Sequence, residues 1–196
     1  MIHFCFTLVN KRYGGHLMKT KIVPTIFLLD VDGVFTDGKF YYTAEGKIMK
    51  KFGPEDNDAL SFLDGRMQIQ VISGDKRGFA ITKKRIAEDM GLSLSLVSTF
   101  ERIDWIRKHF DPKKVIYMAD GIYDPLVFKH VAYSIAPANA FTTTRRDADF
   151  VTEAKGGEGA VAEAVVHILG KFFNISFDVN LFDLSKGSGA WKKNKK

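Results

Sequence analysis

The chain has 196 residues, 45% hydrophobic and 27% charged, with a formal net charge of +6 and a single cysteine, Cys5. That length builds one α/β domain with a real core rather than two, and one cysteine excludes an intrachain disulfide framework and a cysteine-based zinc cluster. Residues 1–21 and 186–196 hold nine basic side chains and no acid, leaving 20 basic against 23 acidic in 22–185, so the positive charge belongs to the ends and marks no nucleic-acid-binding face.

Residues 1–21 read as an N-terminal extension. The apolar stretch 2–9 is short, lacks a basic lead and runs into Lys11-Arg12, unlike a signal peptide. No run reaches the roughly 18 to 20 apolar residues that cross a bilayer. A cytoplasmic, reducing location with no membrane partner is expected.

The first strand is expected over 23–31. It ends in Asp30-Val31-Asp32-Gly33, and strand alternation predicts that Asp30 and Asp32 share a face at its carboxyl end. Open α/β sheets bind ligands there, and two carboxylates so close repel unless a cation or proton lies between them. A solvated Asp turn is the plain competing account. Segments 39–43 and 47–52 around Ala44-Glu45-Gly46 predict a β-hairpin whose aromatic and basic residues cover a pocket. Helices are predicted over 55–63, 82–90, 100–110 and 158–173, and strands over 67–72, 92–97, 115–118, 131–135 and 149–152. Alternating strands and helices predict a Rossmann-like α/β three-layer sandwich with a mainly parallel sheet. Residues 22–173 would form the domain, and 174–196 a basic C-terminal tail.

The strand ends then carry Asp30 and Asp32, Ser73-Gly74, and Asp120 with Asp124, a set that converges if the sheet is parallel. In its ordered motifs Asp30-Val-Asp-Gly-Val-Phe-Thr-Asp-Gly38, Val71-Ile-Ser-Gly74, Ala148-Asp-Phe-Val-Thr152 and Gly156-Gly-Glu-Gly-Ala-Val161, the chain resembles the haloacid dehalogenase superfamily of phosphohydrolases. Within it, residues 27–173 resemble the capless branch, which contains sugar-acid phosphatases and the phosphatase-like domain of some CMP-sialate synthetases.

The resemblance implies a Mg²⁺-dependent phosphomonoesterase acting on a small sugar-acid or sugar phosphate. Asp30 would be the nucleophile and form an aspartyl-phosphate; Asp32 would be the general acid and base. The Asp30 and Asp120 carboxylates and the Asp32 carbonyl would bind Mg²⁺, with Asp124 orienting that site. Ser73 would donate to a phosphoryl oxygen, Gly74 would let the backbone approach, and Asp56 matches an acidic position after the hairpin.

The superfamily places a cation, usually lysine, at the start of the helix before the Asp120 strand. Here Arg102 is the candidate, since its guanidinium bridges two oxygens and stays charged, with Lys76 and Arg77 in reserve. A solvated helix residue paired with Glu101 or Asp104 is the competing account of Arg102. Asp75 stands where the sugar-acid phosphatases carry an arginine after Ser-Gly, and Ala162 stands at a second arginine position. The branch implies a homo-oligomer, a ring-like tetramer, in which the hairpin and the Gly156-Gly157 loop meet neighbouring subunits. The alternative is a non-catalytic domain of this fold serving oligomerisation or regulation.

Overall fold

A computed structural model describes residues 23–178; the extension 1–21 and all but the start of the tail 174–196 lie outside them. Six parallel strands form one sheet: β1 (Ile26–Asp30), β4 (Gln68–Ser73), β5 (Ser93–Leu96), β6 (Val115–Met118), β7 (Tyr133–Ala136) and β8 (Phe150–Val151). Their order is β5-β4-β1-β6-β7-β8. The expected hairpin is present as β2 (Tyr41–Thr43) and β3 (Gly46–Met49), an antiparallel pair outside that sheet.

All five β1 residues are buried, as befits a central strand covered on both faces. The pleat sends Phe27 and Leu29 into one core with Val71, Ile116 and Met118. It sends Ile26 and Leu28 into the other with Ile72, Val115 and Tyr117. The first core is closed by α1 (Glu55–Leu60) and by α6 (Ala160–Phe173), which contributes Val161, Val165, Ile168 and Leu169. The second is closed by Ile106 of α3 (Arg102–His109) and by Val127 and Phe128 of α4 (Asp124–Phe128). The chain winds outward from β1 to β4 and β5, then returns to β6 on the other side of β1. The order therefore reverses between β1 and β6, and a crevice opens at the carboxyl ends of those strands.

Some boundaries differ from the sequence-based expectation for physical reasons. The first strand stops at Asp30 because the Val31 carbonyl accepts the N–H groups of Val34, Phe35 and Thr36 at 3.2, 2.9 and 3.2 Å. Asp32 thus lies in a tight turn, and its position is set by that turn rather than by strand alternation. The helix expected over 82–90 begins earlier, as α2 (Phe79–Lys83), and continues as a π-helical stretch over Lys84–Asp89. Helices α4 and α5 (Thr142–Asp147) were not anticipated. The latter opens on three threonines, whose branched side chains weaken a local helix signal.

Asp56 does not face the crevice. It is 1% exposed, and its Oδ1 accepts the Ala162 N–H at 3.1 Å, at the start of α6. Its Oδ2 is buried with no hydrogen-bond partner. Burial pushes this carboxyl up to about 6, against the pull of the Ala162 and Val161 N–H groups. A carboxyl raised above its unfolded value costs nothing below pH 4 and destabilises the fold progressively as pH climbs from about 4 to 6, by up to about 3 kcal/mol. Asp56→Asn keeps the oxygen acceptor and removes the charge. Urea unfolding should therefore show the variant gaining on wild type at pH 7.5 and the gap closing by pH 4.5; a gap independent of pH refutes this account.

Candidate active site

The crevice is an open pocket of about 280 Å³ lined by Asp30, Asp32, Gly38, Phe40, Gly74, Asp75, Thr99, Arg102 and Asp120. Its floor is the β1 turn. Gly33 has φ +81°, and a Cβ there would fall 1.9 Å from Asp120 Oδ2. Only glycine lets the backbone approach that carboxylate so closely.

Arg102 begins α3 and is 3% exposed. Its Nη2 lies 2.8 Å from Asp30 Oδ2. Its Nη1 donates to Asp124 Oδ1 at 2.8 Å and to the Tyr117 hydroxyl at 2.6 Å. Tyr117 in turn donates to Asp124 Oδ1 at 2.8 Å, and the Gly121 N–H donates to Asp124 Oδ2 at 2.8 Å. Arg102 is therefore no solvated helix residue and pairs with neither Glu101 nor Asp104; Asp104 pairs with Arg107 at 3.5 Å. Burial opposes the Arg102 charge, but the surrounding acids, Asp30 foremost, hold the guanidinium protonated. Asp124 accepts two hydrogen bonds on Oδ1 and one on Oδ2, and so fixes Arg102 and the β6 turn.

Carboxylate oxygens of Asp30, Asp120 and Asp124 lie within 4.8 Å of one another. Burial pushes Asp120 up to about 8, with repulsion from Asp30 and Asp124 adding to it. Burial also raises Asp30, against the pull of Arg102. Crowded hard oxygen donors with elevated proton affinity suit a small divalent cation such as Mg²⁺, which favours all-oxygen coordination.

Asp32 is raised by burial, with a hydrogen bond from Lys50 pulling it back. Lys50 follows β3, and its Nζ donates to Asp32 Oδ2 at 3.0 Å and to Thr82 Oγ1 at 2.9 Å. It also lies 2.7 Å from Asp32 Oδ1, an ion pair without good hydrogen-bond direction, and 2.8 Å from Asp75 Oδ2. Asp75 is bonded by Lys47 as well. Burial works to raise Asp75, but Lys47 and Lys50 outweigh it and bring the carboxyl down to about 2.

Of the residues expected at the site, Asp30, Asp32, Gly74, Arg102 and Asp120 line one pocket, and Asp124 stands directly behind Arg102. Ser73 is wholly buried, and its Oγ accepts the Asp75 N–H at 3.2 Å; it sits behind the wall that Gly74 forms. Lys76, the reserve cation, is exposed and is not among the residues lining the pocket. Asp56 is committed to α6. The Gly156-Gly157 loop is not a free surface either. Both glycines are buried, and the loop packs on the β1 turn: a Cβ at Gly156 would lie 2.0 Å from the Gly33 carbonyl, and Gly157 donates to the Val34 carbonyl at 3.1 Å. Sequence reading placed the hairpin's aromatic and basic residues over a pocket without singling out Phe40 or Lys50, and it missed Thr99. His167 stacks on Phe150 at 3.7 Å and contacts the Tyr133 hydroxyl at 2.9 Å, a packing role away from the pocket.

No family model matches the chain. A 3-deoxy-D-manno-octulosonate 8-phosphate phosphatase from Haemophilus influenzae is 31% identical over 153 residues, which span 74% of this chain and 83% of that protein. The cobalt-bound structure of the deoxy-D-mannose-octulosonate 8-phosphate phosphatase from Haemophilus influenzae superposes with a TM-score of 0.69 at 27% identity, covering 86% of this chain and 97% of that one. The Moraxella catarrhalis 3-deoxy-D-manno-octulosonate 8-phosphate phosphatase, solved with a magnesium ion, a phosphate ion and a KDO molecule, gives a TM-score of 0.66 at 26% identity, over 77% and 88% of the two chains. With the turn, the strand-end acids and the sheet order already in place, these likenesses assign the chain to the 3-deoxy-D-manno-octulosonate 8-phosphate phosphatase family of the haloacid dehalogenase superfamily.

Proposed function

We propose that the chain is a Mg²⁺-dependent phosphomonoesterase that hydrolyses a sugar-acid phosphate of the 3-deoxy-D-manno-octulosonate 8-phosphate type through an aspartyl-phosphate on Asp30. The observation that carries this reading is the convergence of Asp30, Asp120 and Arg102 on one pocket at the β1–β6 reversal. An Asp30 oxygen attacks phosphorus as the bond to the sugar oxygen breaks, and Asp32 supplies the proton that the departing oxygen needs. Ionised, Asp32 then takes a proton from the water that releases phosphate and regenerates Asp30. Arg102 offsets the Asp30 charge and holds the carboxylate in place, and the backbone at Gly74 with Thr99 forms the wall that a phosphoryl oxygen meets. The Asp30 and Asp120 carboxylates and the Asp32 carbonyl would hold Mg²⁺, which supplies charge stabilisation for the phosphoryl oxygens.

Asp75 inverts the charge that an arginine brings to this wall, and Lys47 and Lys50 neutralise it. The sugar-facing end is therefore the part of the pocket furthest from the family pattern. A homo-oligomer, favoured as a tetramer, and a cytoplasmic location complete the proposal. The exposed Tyr41, Tyr42, Ile48 and Met49 of the hairpin support the first as an apolar surface suited to a second copy. Among the described residues no helix is long and apolar enough to cross a membrane.

The test is turnover of p-nitrophenyl phosphate and a sugar-phosphate panel with and without Mg²⁺; absence of metal-dependent hydrolysis on every ester would favour the non-catalytic alternative. Metal binding also has a readout without substrate. Mg²⁺ at about a hundred times its dissociation constant contributes about 2.7 kcal/mol, or roughly 5–10 °C of melting temperature for a chain of this size. Differential scanning calorimetry should show that rise, its reversal by EDTA, and its loss in Asp120→Asn. An unchanged melting temperature in wild type refutes the metal site.

A further inference from the structure

We propose that Lys50 is the positioning residue that fixes the Asp32 carboxylate for proton transfer to the leaving group. The assignment rests on the phosphatase reading above and concerns a residue outside the strand-end acids.

Three observations carry it. First, the Lys50 side chain is fully enclosed, and an ammonium has three protons to donate. It donates to Asp32 Oδ2 at 3.0 Å and to Thr82 Oγ1 at 2.9 Å, and it forms an ion pair with Asp75 Oδ2 at 2.8 Å. The enclosed Lys50 is not among the residues lining the pocket, so it presents no donor to a phosphoryl oxygen there. Its work is done on Asp32, not on substrate.

Second, the other two partners are themselves anchored. Thr82 is wholly buried on α2. Asp75 Oδ1 accepts the Gly78 N–H at 3.1 Å, and Lys47 binds its other oxygen. Gly78 opens the space for this cluster: a Cβ there would fall 2.2 Å from Asp75 Oδ2 and 2.9 Å from Lys50 Cε. Third, Asp32 sits in a turn, outside the sheet ladder that holds Asp30. Its side chain is 19% exposed toward the pocket, so an outside contact must choose its orientation. Lys50 makes that contact from the hairpin, joining the flap to the proton donor.

The proton matters in proportion to the basicity of the leaving oxygen. A sugar alkoxide needs it as the P–O bond breaks, whereas p-nitrophenolate departs without it. Because kcat/KM covers steps up to phosphoryl transfer, the two esters separate positioning of Asp32 from general damage. In Lys50→Met, kcat/KM for the best alkyl sugar phosphate should fall by about 100-fold, the lower range for a general acid. For p-nitrophenyl phosphate it should fall less than about 3-fold, with a burst of p-nitrophenol as hydrolysis of the aspartyl-phosphate becomes limiting. Thr82→Val, which loosens Lys50 while keeping its charge, should show the same selectivity at smaller amplitude and serves if Lys50→Met fails to fold. Equal losses on both esters in the folded variants, or no loss on either, overturn the positioning role while leaving the phosphatase reading intact. A wild-type protein that hydrolyses neither ester overturns that reading and this assignment with it.

Discussion

Asp30→Asn lowers turnover of every phosphate ester by at least about 10⁴-fold while leaving the protein folded. An amide cannot attack phosphorus, and losing a nucleophile that works as one unit with its neighbours removes nearly all catalysis beyond binding. The fold should tolerate the change because Asp30 is a carboxylate that burial already disfavours as an anion, beside Asp124 and Asp120. Asparagine keeps an oxygen toward Arg102 and removes one of three crowded negative charges. Rapid quench with mass detection should find a phosphorylated protein during wild-type turnover and none in the variant. A variant within tenfold of wild type sinks the nucleophile assignment. A folded variant without activity that still accumulates a phospho-adduct would move the nucleophile elsewhere.

How much of this site was legible in the sequence depends on whether each residue's role is set locally. Asp30 and Asp120 follow apolar runs that could only be buried strands, and parallel strands bring their ends together, so both were readable. Arg102 was readable by place, at the start of the helix before β6, but its partners Asp124 and Tyr117 come from a turn and a strand that no local pattern connects to it. Lys50 was legible only as one of several basic residues of a hairpin expected to cover a pocket, and nothing local in Lys47-Ile-Met-Lys-Lys singles it out. Its burial depends on Asp32, 18 residues earlier, and Thr82, 32 residues later. Asp56 misled for the converse reason. An acid early in a helix reads as that helix's own cap or as a ligand, whereas it caps α6, 106 residues away. The Gly156-Gly157 loop has the same lesson, since its glycines pack on the distant Gly33 and Thr36 backbone. Strand placement and the parallel sheet followed from hydrophobic pattern and element alternation; side-chain partnership across the crevice did not.

Arg102→Met carries the second large effect, on stability as well as on rate. The guanidinium spans Asp30 on one nitrogen and Asp124 with Tyr117 on the other, a fork that no other side chain reproduces. Its removal leaves two buried carboxylates facing each other, and breaking such a pair costs about 3–5 kcal/mol. Chemical unfolding should show that loss, and kcat/KM should fall by about 10³-fold as Asp30 takes up a proton and loses its nucleophilic form. Arg102→Lys separates charge from geometry. It restores a cation of the type the superfamily usually carries here, but a single ammonium cannot hold both carboxylates as a planar fork does. Turnover should recover to within about 30-fold of wild type while much of the stability deficit persists. If lysine restores neither, the fork and not the charge is what the nucleophile requires; if methionine leaves both rate and stability at wild-type values, the Arg102 network has no role in holding Asp30.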